Sequence, residues 1–255
     1  MNKNIKDRTG TIRRMNDGEL FKCIAYRNNK DCDFELVDKE HNYKVYHKYY
    51  INFKNGNMKS PYLKSLCGIG YIGGDFTNVS YMTSYKIWSN MINRCYNTRT
   101  DRRRDVNYLD CRVDEEWHSF YNFNKWFEEE IKKYKSNEKM CLDKDLLVKN
   151  NKVYSKKTCV LIPDRVNIFF TKTTFKRGNY PIGVYKKEDK FRAQCCDPFK
   201  KRYRTLGLFK NPNDAFLCYK RIKEQYAKEL ADYYNGKINP KAIEALKNYE
   251  VNIND

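Results

Sequence analysis

Tyr180-Pro-Ile-Gly-Val-Tyr-Lys-Lys-Glu-Asp-Lys-Phe-Arg-Ala-Gln194, with Leu206-Gly-Leu-Phe209 and Asn211-Pro-Asn-Asp-Ala215 after it, is the stretch that decides how this chain folds. Alternating apolar and charged residues broken by turn formers predict three short strands. Asn211 as a cap with Pro212 in the first turn predicts a helix, with Ala215, Leu217, Tyr219, Ile222, Tyr226 and Leu230 along it. The charge is lopsided. Residues 176–210 hold eleven Lys and Arg against three Asp and Glu, a balance of +8, whereas residues 214–234 hold four of each. The cations therefore belong to the sheet and not to the helix behind it. A basic sheet backed by a neutral helix suits strands pressed into a nucleic-acid groove.

The rest of the chain agrees with a polyanionic partner. The 255 residues carry 51 Lys and Arg against 32 Asp and Glu, a formal charge of +19. Such an excess favours nucleic acid through counterion release. Twenty-two tyrosines interleave the cations with rings that can stack or pack. An apolar fraction of 40% supports packed cores and argues against global disorder. No apolar run reaches the roughly 18 residues of a membrane-spanning helix, and residues 1–18 lack the apolar core of a secretory signal. The expectation is a cytoplasmic chain without membrane contact. The ten cysteines are scattered without a Cys-x-x-Cys pair, so reduced thiols are expected.

Working back from the opening stretch, residues 10–66 read as short strands around Leu20, Lys22, Ile24 and Tyr26, then Phe34 and Leu36, Tyr43 and Val45, and Ile51 to Phe53. That density of strand and turn signals predicts a small barrel or meander. Cys67-Gly-Ile-Gly-Tyr-Ile-Gly-Gly74 lacks the Lys-Ser/Thr ending of a phosphate loop and reads as a flexible linker. Ser84 is placed to cap a helix carrying Tyr85, Trp88, Met91, Ile92, Cys95 and Tyr96. A second helix near residues 116–135 presents Trp117, Phe120, Phe127 and Ile131. Between them Arg99, Arg102, Arg103 and Arg104 form a basic segment available to DNA.

The chemistry concentrates further on. Met140-Cys-Leu-Asp-Lys-Asp145 predicts one strand, Thr158-Cys-Val-Leu-Ile-Pro163 another, and Asp164 then caps a short helix with Val166, Asn167 and Phe170. Strand, loop, strand and helix set a strand-end carboxylate and a helix amide on one side of a hairpin. Oxygen atoms in that arrangement suit one hard divalent cation, Mg²⁺ or Mn²⁺, with positions left for a scissile phosphate.

Residues 85–170 resemble the divergent H-N-H endonucleases carried by phages, particularly the free-standing homing type. The resemblance implies metal positions at Asp143 and Asn167, places Thr158 where the middle Asn of the family sits, and places Lys144 where its general-base His sits. No histidine lies in the finger. Three routes stay open: Lys144 as a base with a depressed pKa, Asp145 or metal-bound hydroxide in its stead, or a finger that binds without cutting.

Residues 180–234 resemble the apetala/ERF-type DNA-binding domain, on Gly183-Val184, Ala193, Leu206-Gly207 with Phe209, Ala215 and Tyr219. The resemblance implies a sheet laid in the major groove. Tyr185, Lys187, Gln194, Cys196, Tyr203 and Thr205 would face it, Gln194 suited to an adenine edge. Arg192, Lys200, Lys201, Arg202 and Arg204, with Lys186, are assigned to DNA and chiefly to phosphates.

The expected fold class is α+β, in three parts. Residues 1–74 form the strand-rich module and linker, residues 75–175 an H-N-H-like core with a ββα finger, and residues 176–255 a three-stranded sheet, helix and tail. The expected function is a monomeric, phage-encoded, metal-dependent endonuclease on double-stranded DNA. The alternatives are a DNA-binding regulator with a degenerate finger and, on charge and aromatics alone, an RNA-binding protein.

Overall fold

Alternation from Leu20 onward builds a four-stranded antiparallel sheet of β1 (Ile12–Arg14), β2 (Leu20–Asn28), β3 (Asp31–Leu36) and β4 (Lys44–Lys48), paired in that order. The computed structural model describes residues 6–97, 108, 110–134, 137–148, 150–171 and 180–253. It divides into two units: Met1–Val79 with His118–Tyr121, and Ser80–Trp117 with Asn122–Asp255. The architecture is α+β. Among the described residues no helix is long and apolar enough to cross a membrane, and all ten cysteines are free thiols.

In the first unit β1 and β4 are the outer strands, so the sheet is an open meander and not a closed barrel. Its inward face buries Phe21, Cys23, Cys32 and Phe34. Ile51 to Phe53, expected as a strand, lies instead in α1 (Tyr50–Lys54). Tyr50 and Phe53 stand three apart, a helical spacing, and both rings close on Phe34, at 6.4 and 4.8 Å. Residues 67–74, expected as a flexible linker, are tied by backbone bonds. Tyr71 donates to His118 O, Phe120 to Tyr71 O and Tyr121 to Ile72 O, at 3.0, 2.8 and 2.9 Å. The strand-like backbone finds its partner far along the chain, where local sequence gives no sign of it.

The second unit runs α2 (Thr83–Tyr96), β5 (Arg112–Val113), the body of α3 (Phe120–Lys133), β6 (Met140–Asp143), β7 (Val153–Tyr154) and β8 (Val160–Pro163). It continues with α4 (Asp164–Phe170), β9 (Val184–Lys187), β10 (Lys190–Asp197), β11 (Arg202–Phe209), α5 (Pro212–Tyr233) and α6 (Pro240–Lys247). The α2 stripe is buried as expected at Trp88, Met91, Ile92 and Cys95. The Trp88 indole N–H donates to Trp117 O at 2.7 Å, which satisfies a polar atom the core would otherwise strand. Ser84 does not cap α2. Met82 holds that position, and Ser84 sits buried within the helix, its hydroxyl donating to Asn124 Oδ1 at 2.6 Å. A 3₁₀ turn over Glu115–His118 precedes α3, so the helix begins later than residue 116.

β6 and β8 pair antiparallel, with Met140 opposite Pro163 and Asp143 opposite Val160, and α4 follows at once. Pro163 is the N-cap of α4, not Asp164, whose Oδ1 instead accepts from the Cys141 thiol at 3.5 Å. The parallel pair β5–β7 was unexpected, because two-residue strands carry no periodicity.

The C-terminal sheet has the order β11-β10-β9, with α5 packed behind it. Asn211 accepts from Asp214 N at 2.8 Å and Pro212 opens the helix, as its sequence predicts. Phe216 is buried in its first turns together with Ala215 and Tyr219, whereas Leu217 is 59% exposed. Val160, Ile162, Val166 and Phe169 of the hairpin and α4 share one core with Val184, Ala193, Cys195, Tyr219 and Leu230. Lys223 of α5 seals this joint: its ammonium donates to Phe169 O at 2.7 Å and sits 3.7 Å over the Phe169 ring. Burial pulls the Lys223 pKa down to about 8.

Gly183 has φ +78°, and a Cβ there would meet Tyr219 Cδ2 at 2.1 Å. Gly183→Ala is expected to cost about 2–4 kcal/mol, from left-handed backbone strain plus overpacking against a ring. Chemical denaturation measures it, and a loss below about 1 kcal/mol would show that the ring moves aside freely.

Candidate functional site

The end of β6 supplies the first group. The Asp143 side chain turns back on its own chain, Oδ1 accepting from the backbone N–H of Asp145 at 2.8 Å and of Leu146 at 2.7 Å. This turn stops the strand and fixes the carboxylate at its tip. Burial pushes the Asp143 pKa upward against the pull of those two N–H groups. Among the described residues Oδ2 has no hydrogen-bond partner.

Asp143 lines a cleft of about 950 Å³, and Asn167, one turn into α4, lines it too. The main-chain carbonyl of Asn167 accepts from Thr171 Oγ1 at 3.0 Å, while no described residue takes up its side-chain amide. The two positions marked from sequence therefore line one cleft, each with side-chain oxygen not taken up by a described residue. Hard oxygen donors, one of them a carboxylate in a poorly hydrated place, fit a divalent cation of the Mg²⁺ class.

Lys144 and Asp145 line the same cleft. Lys144 is only 7% exposed. Its ammonium donates to both Asp145 carboxylate oxygens at 2.7 Å and to Asn151 O at 2.8 Å. All its protons have acceptors, so it is arranged as a donor that orients Asp145 rather than as a proton acceptor. Thr158 is elsewhere. It stands before β8, its hydroxyl donating to Val153 O at 2.7 Å and meeting Ser155 Oγ at 2.9 Å, and it does not line the cleft.

Asn151 was passed over in the sequence as a loop residue, yet it clamps the whole turn. Its amide donates to Lys144 O at 2.9 Å and Val153 O at 2.7 Å, and its Oδ1 accepts from Val153 N at 3.1 Å. Asn next to another Asn in a loop gave no periodic signal to find it by. The segment after α6 was likewise missed: residues 248–252 form part of the cleft wall. Val251 holds that segment down, donating to Glu224 Oε1 at 3.0 Å and accepting from Lys220 at 2.9 Å.

The second feature is the outer face of the C-terminal sheet. Ala193, Cys195 and Asp197 point inward from β10, leaving Arg192, Gln194 and Cys196 on the other side. Register sets Arg192 between Tyr185 and Leu208, Gln194 opposite Thr205, and Cys196 opposite Tyr203. A step in register between Ala193 and Gln194 keeps Gln194, Thr205 and Tyr203 on this face. Tyr203 is 64% exposed, and Lys186, Lys187, Arg202 and Thr205 are exposed as well.

Two placements differ from the division into readers and phosphate contacts. Arg192 shares the outer face with Gln194, its guanidinium 5.7 Å from the Tyr185 ring centre. Its Nε is buried without a partner among the described residues. Arg204 reaches the opposite way and donates to Tyr226 OH of α5 at 3.1 Å. Lys200 and Lys201 occupy the exposed β10–β11 turn, where Asp197 Oδ1 accepts from Lys200 N at 3.0 Å. Arg99, Arg102, Arg103 and Arg104 lie outside the described residues.

In the first unit Asp31, Asp33 and His47 bring ligand-type atoms within 4.8 Å of one another, a grouping the sequence did not suggest. Arg27 already fills the role of the cation. It donates to Asp31 Oδ1 at 3.0 Å and to Asp33 Oδ2 at 2.6 Å, holding the Asp33 pKa down at about 2. No family model, curated protein or solved structure matches this chain.

Proposed function

We propose that the chain is a metal-dependent endonuclease of the H-N-H kind that acts on duplex DNA. One observation carries the reading: Asp143 and Asn167, each with uncommitted side-chain oxygen, face one cleft. The excess of 51 Lys and Arg over 32 Asp and Glu supports a polyanionic substrate. The outer sheet face, with Gln194 beside Thr205 and an exposed Tyr203, supports base-edge contact within a cationic surround.

Asp143 and Asn167 would hold the cation, which when bound supplies Lewis-acid polarisation of a phosphoryl oxygen. Asp145 then becomes the proton-accepting carboxylate of the cleft. Lys144 keeps it oriented, and Asn151 keeps Lys144 in place. A second reading, DNA binding without cleavage, draws on the same Lys144: no neutral nitrogen base replaces the missing histidine among the described residues.

A plasmid-nicking assay in Mg²⁺ and Mn²⁺ separates the two. Wild type is expected to nick, and Asn167→Ala to lose about a hundredfold or more in rate, the scale for removing one charge-stabilising group. Equal, undamaged plasmid from both proteins in either metal would leave only the binding reading.

A further inference from the structure

The cations of the cleft fall into two classes. Lys144 is committed to Asp145, and Lys220 to Glu224 at 2.6 Å. Arg94 and Lys139 also line the cleft, and neither has a carboxylate within ion-pair distance among the described residues. Arg94 is exposed in the last turn of α2. Its guanidinium lies 5.3 Å over the ring of Tyr108, and it is close enough to the buried Tyr154 phenol and the Cys141 thiol to oppose the rise in their pKa.

This is a guanidinium held between two tyrosines, Tyr108 and Tyr154. The Tyr108 ring and the Tyr154 phenol, which Arg94 also meets as a hydrogen-bond donor, hold the group in place, and its remaining N–H donors can take a pair of oxygens. In the same cleft Asp143 and Asn167 supply oxygen atoms that suit a cation, and the Asp143 carboxylate would repel a bare anion. A phosphodiester satisfies both sets at once, because its non-bridging oxygens can meet a metal on one side and a forked donor on the other. A carboxylate or a neutral ligand would use fewer of these groups.

We propose that Arg94 is the phosphate-holding residue of the cleft, with Lys139 adding charge in the same cleft, and that its ligand is a nucleic-acid phosphodiester. The inference deepens the endonuclease reading and rests on it for the consequence in rate. The phosphate contact itself does not need cleavage to be seen. Arg94 acts by touching the non-bridging oxygens, and no proton leaves it.

The test compares wild type, Arg94→Gln and Arg94→Lys, each checked for an unchanged melting temperature. Single-turnover nicking of a supercoiled plasmid in Mn²⁺ gives the rate. Anisotropy of a mixed-sequence duplex in EDTA, titrated with KCl, gives the salt slope. Where wild type nicks, Arg94→Gln is expected to be about 10²–10³-fold slower, Arg94→Lys intermediate, and the slope shallower by about one in Arg94→Gln. If Arg94→Gln nicks within threefold of wild type, the proposal is overturned while the endonuclease reading stands. Where wild type fails to nick in any metal, the endonuclease reading falls and the slope alone decides. A drop of about one supports the phosphate contact, and an unchanged slope overturns it. Should Arg94→Gln fail to fold, Arg94→Lys decides, since it keeps the charge but loses the fork.

Discussion

Asp143→Asn is expected to abolish metal-dependent nicking and at the same time to raise the melting temperature at pH 7. In the proposed endonuclease the Asp143 carboxylate is the anionic ligand of the cation, and the substitution removes it. A Lewis acid contributes several kcal/mol at the transition state, which corresponds to about 10³-fold in rate. The stability gain follows from the direction of the Asp143 shift. Burial raises the carboxyl pKa above its value in an unfolded chain. The folded state then binds the proton more tightly than the unfolded state. Its contribution to stability is present at low pH and is lost as pH rises from the unfolded value through the folded one.

At pH 7 wild type therefore carries a charge that burial disfavours and that asparagine lacks. The replacement keeps an Oδ1 able to accept from Asp145 N and Leu146 N, so the turn survives. Calorimetry across pH 3–8, without metal, should show the advantage of the variant shrinking as the wild-type carboxyl protonates. A variant that melts below wild type at pH 7, or that still nicks, would remove Asp143 from this role. A gain in stability on losing a functional group is the usual mark of a site built at the expense of the fold.

Phe169→Ala is expected to cost about 3–5 kcal/mol, the range for emptying an aromatic from a core. It is also expected to loosen the C-terminal sheet along with the hairpin. Phe169 is 4% exposed, lies 5.4 Å from the Tyr249 ring and 5.6 Å from that of Phe170, and carries the Lys223 ammonium on its face. It belongs to the same core as Ala193 and Leu230. Hydrogen exchange should therefore quicken at the β10 amides as much as at those of β6 and β8. If β10 keeps its protection while β6 and β8 lose theirs, the hairpin and the sheet are independent and the shared core contributes little. Under the proposed function the coupling matters, because a sheet that shares a core with α4 would set where Asn167 stands relative to bound DNA.

How far the residues alone reach is clearest where interactions are local. Asn211 and Pro212 announce α5 because a cap and a fixed φ act within one turn. Ala193 and Cys195 share the inner face of β10, as the alternation of side chains along a strand requires once one of them is buried. That Asp143 ends a strand and Asn167 lies in the helix after the next strand follows from the order strand, loop, strand, helix, which leaves few ways to fold.

Other residues could not be read that way. Whether Ile51 to Phe53 made a strand or a helix depended on Phe34, a ring from another strand that closes on Tyr50 and Phe53. Leu217 and Phe216 are equally apolar neighbours, and only the rotation of α5 against its sheet buries one and exposes the other. Thr158 and Asn151 are both plausible loop polars, and the turn geometry alone gave the clamp to Asn151.

By itself the sequence determined a basic α+β chain with a sheet-and-helix end and a carboxylate–amide pair set on a hairpin and its helix, because charge, caps and strand alternation act between near neighbours. Only the tertiary structure decided that this pair opens onto a cleft with Arg94 and Lys139 in its walls, that Lys144 is tied to Asp145, and that hairpin and sheet share one core. Those are contacts between residues far apart in the chain, settled by how buried faces and unpaired charges find partners when the elements pack.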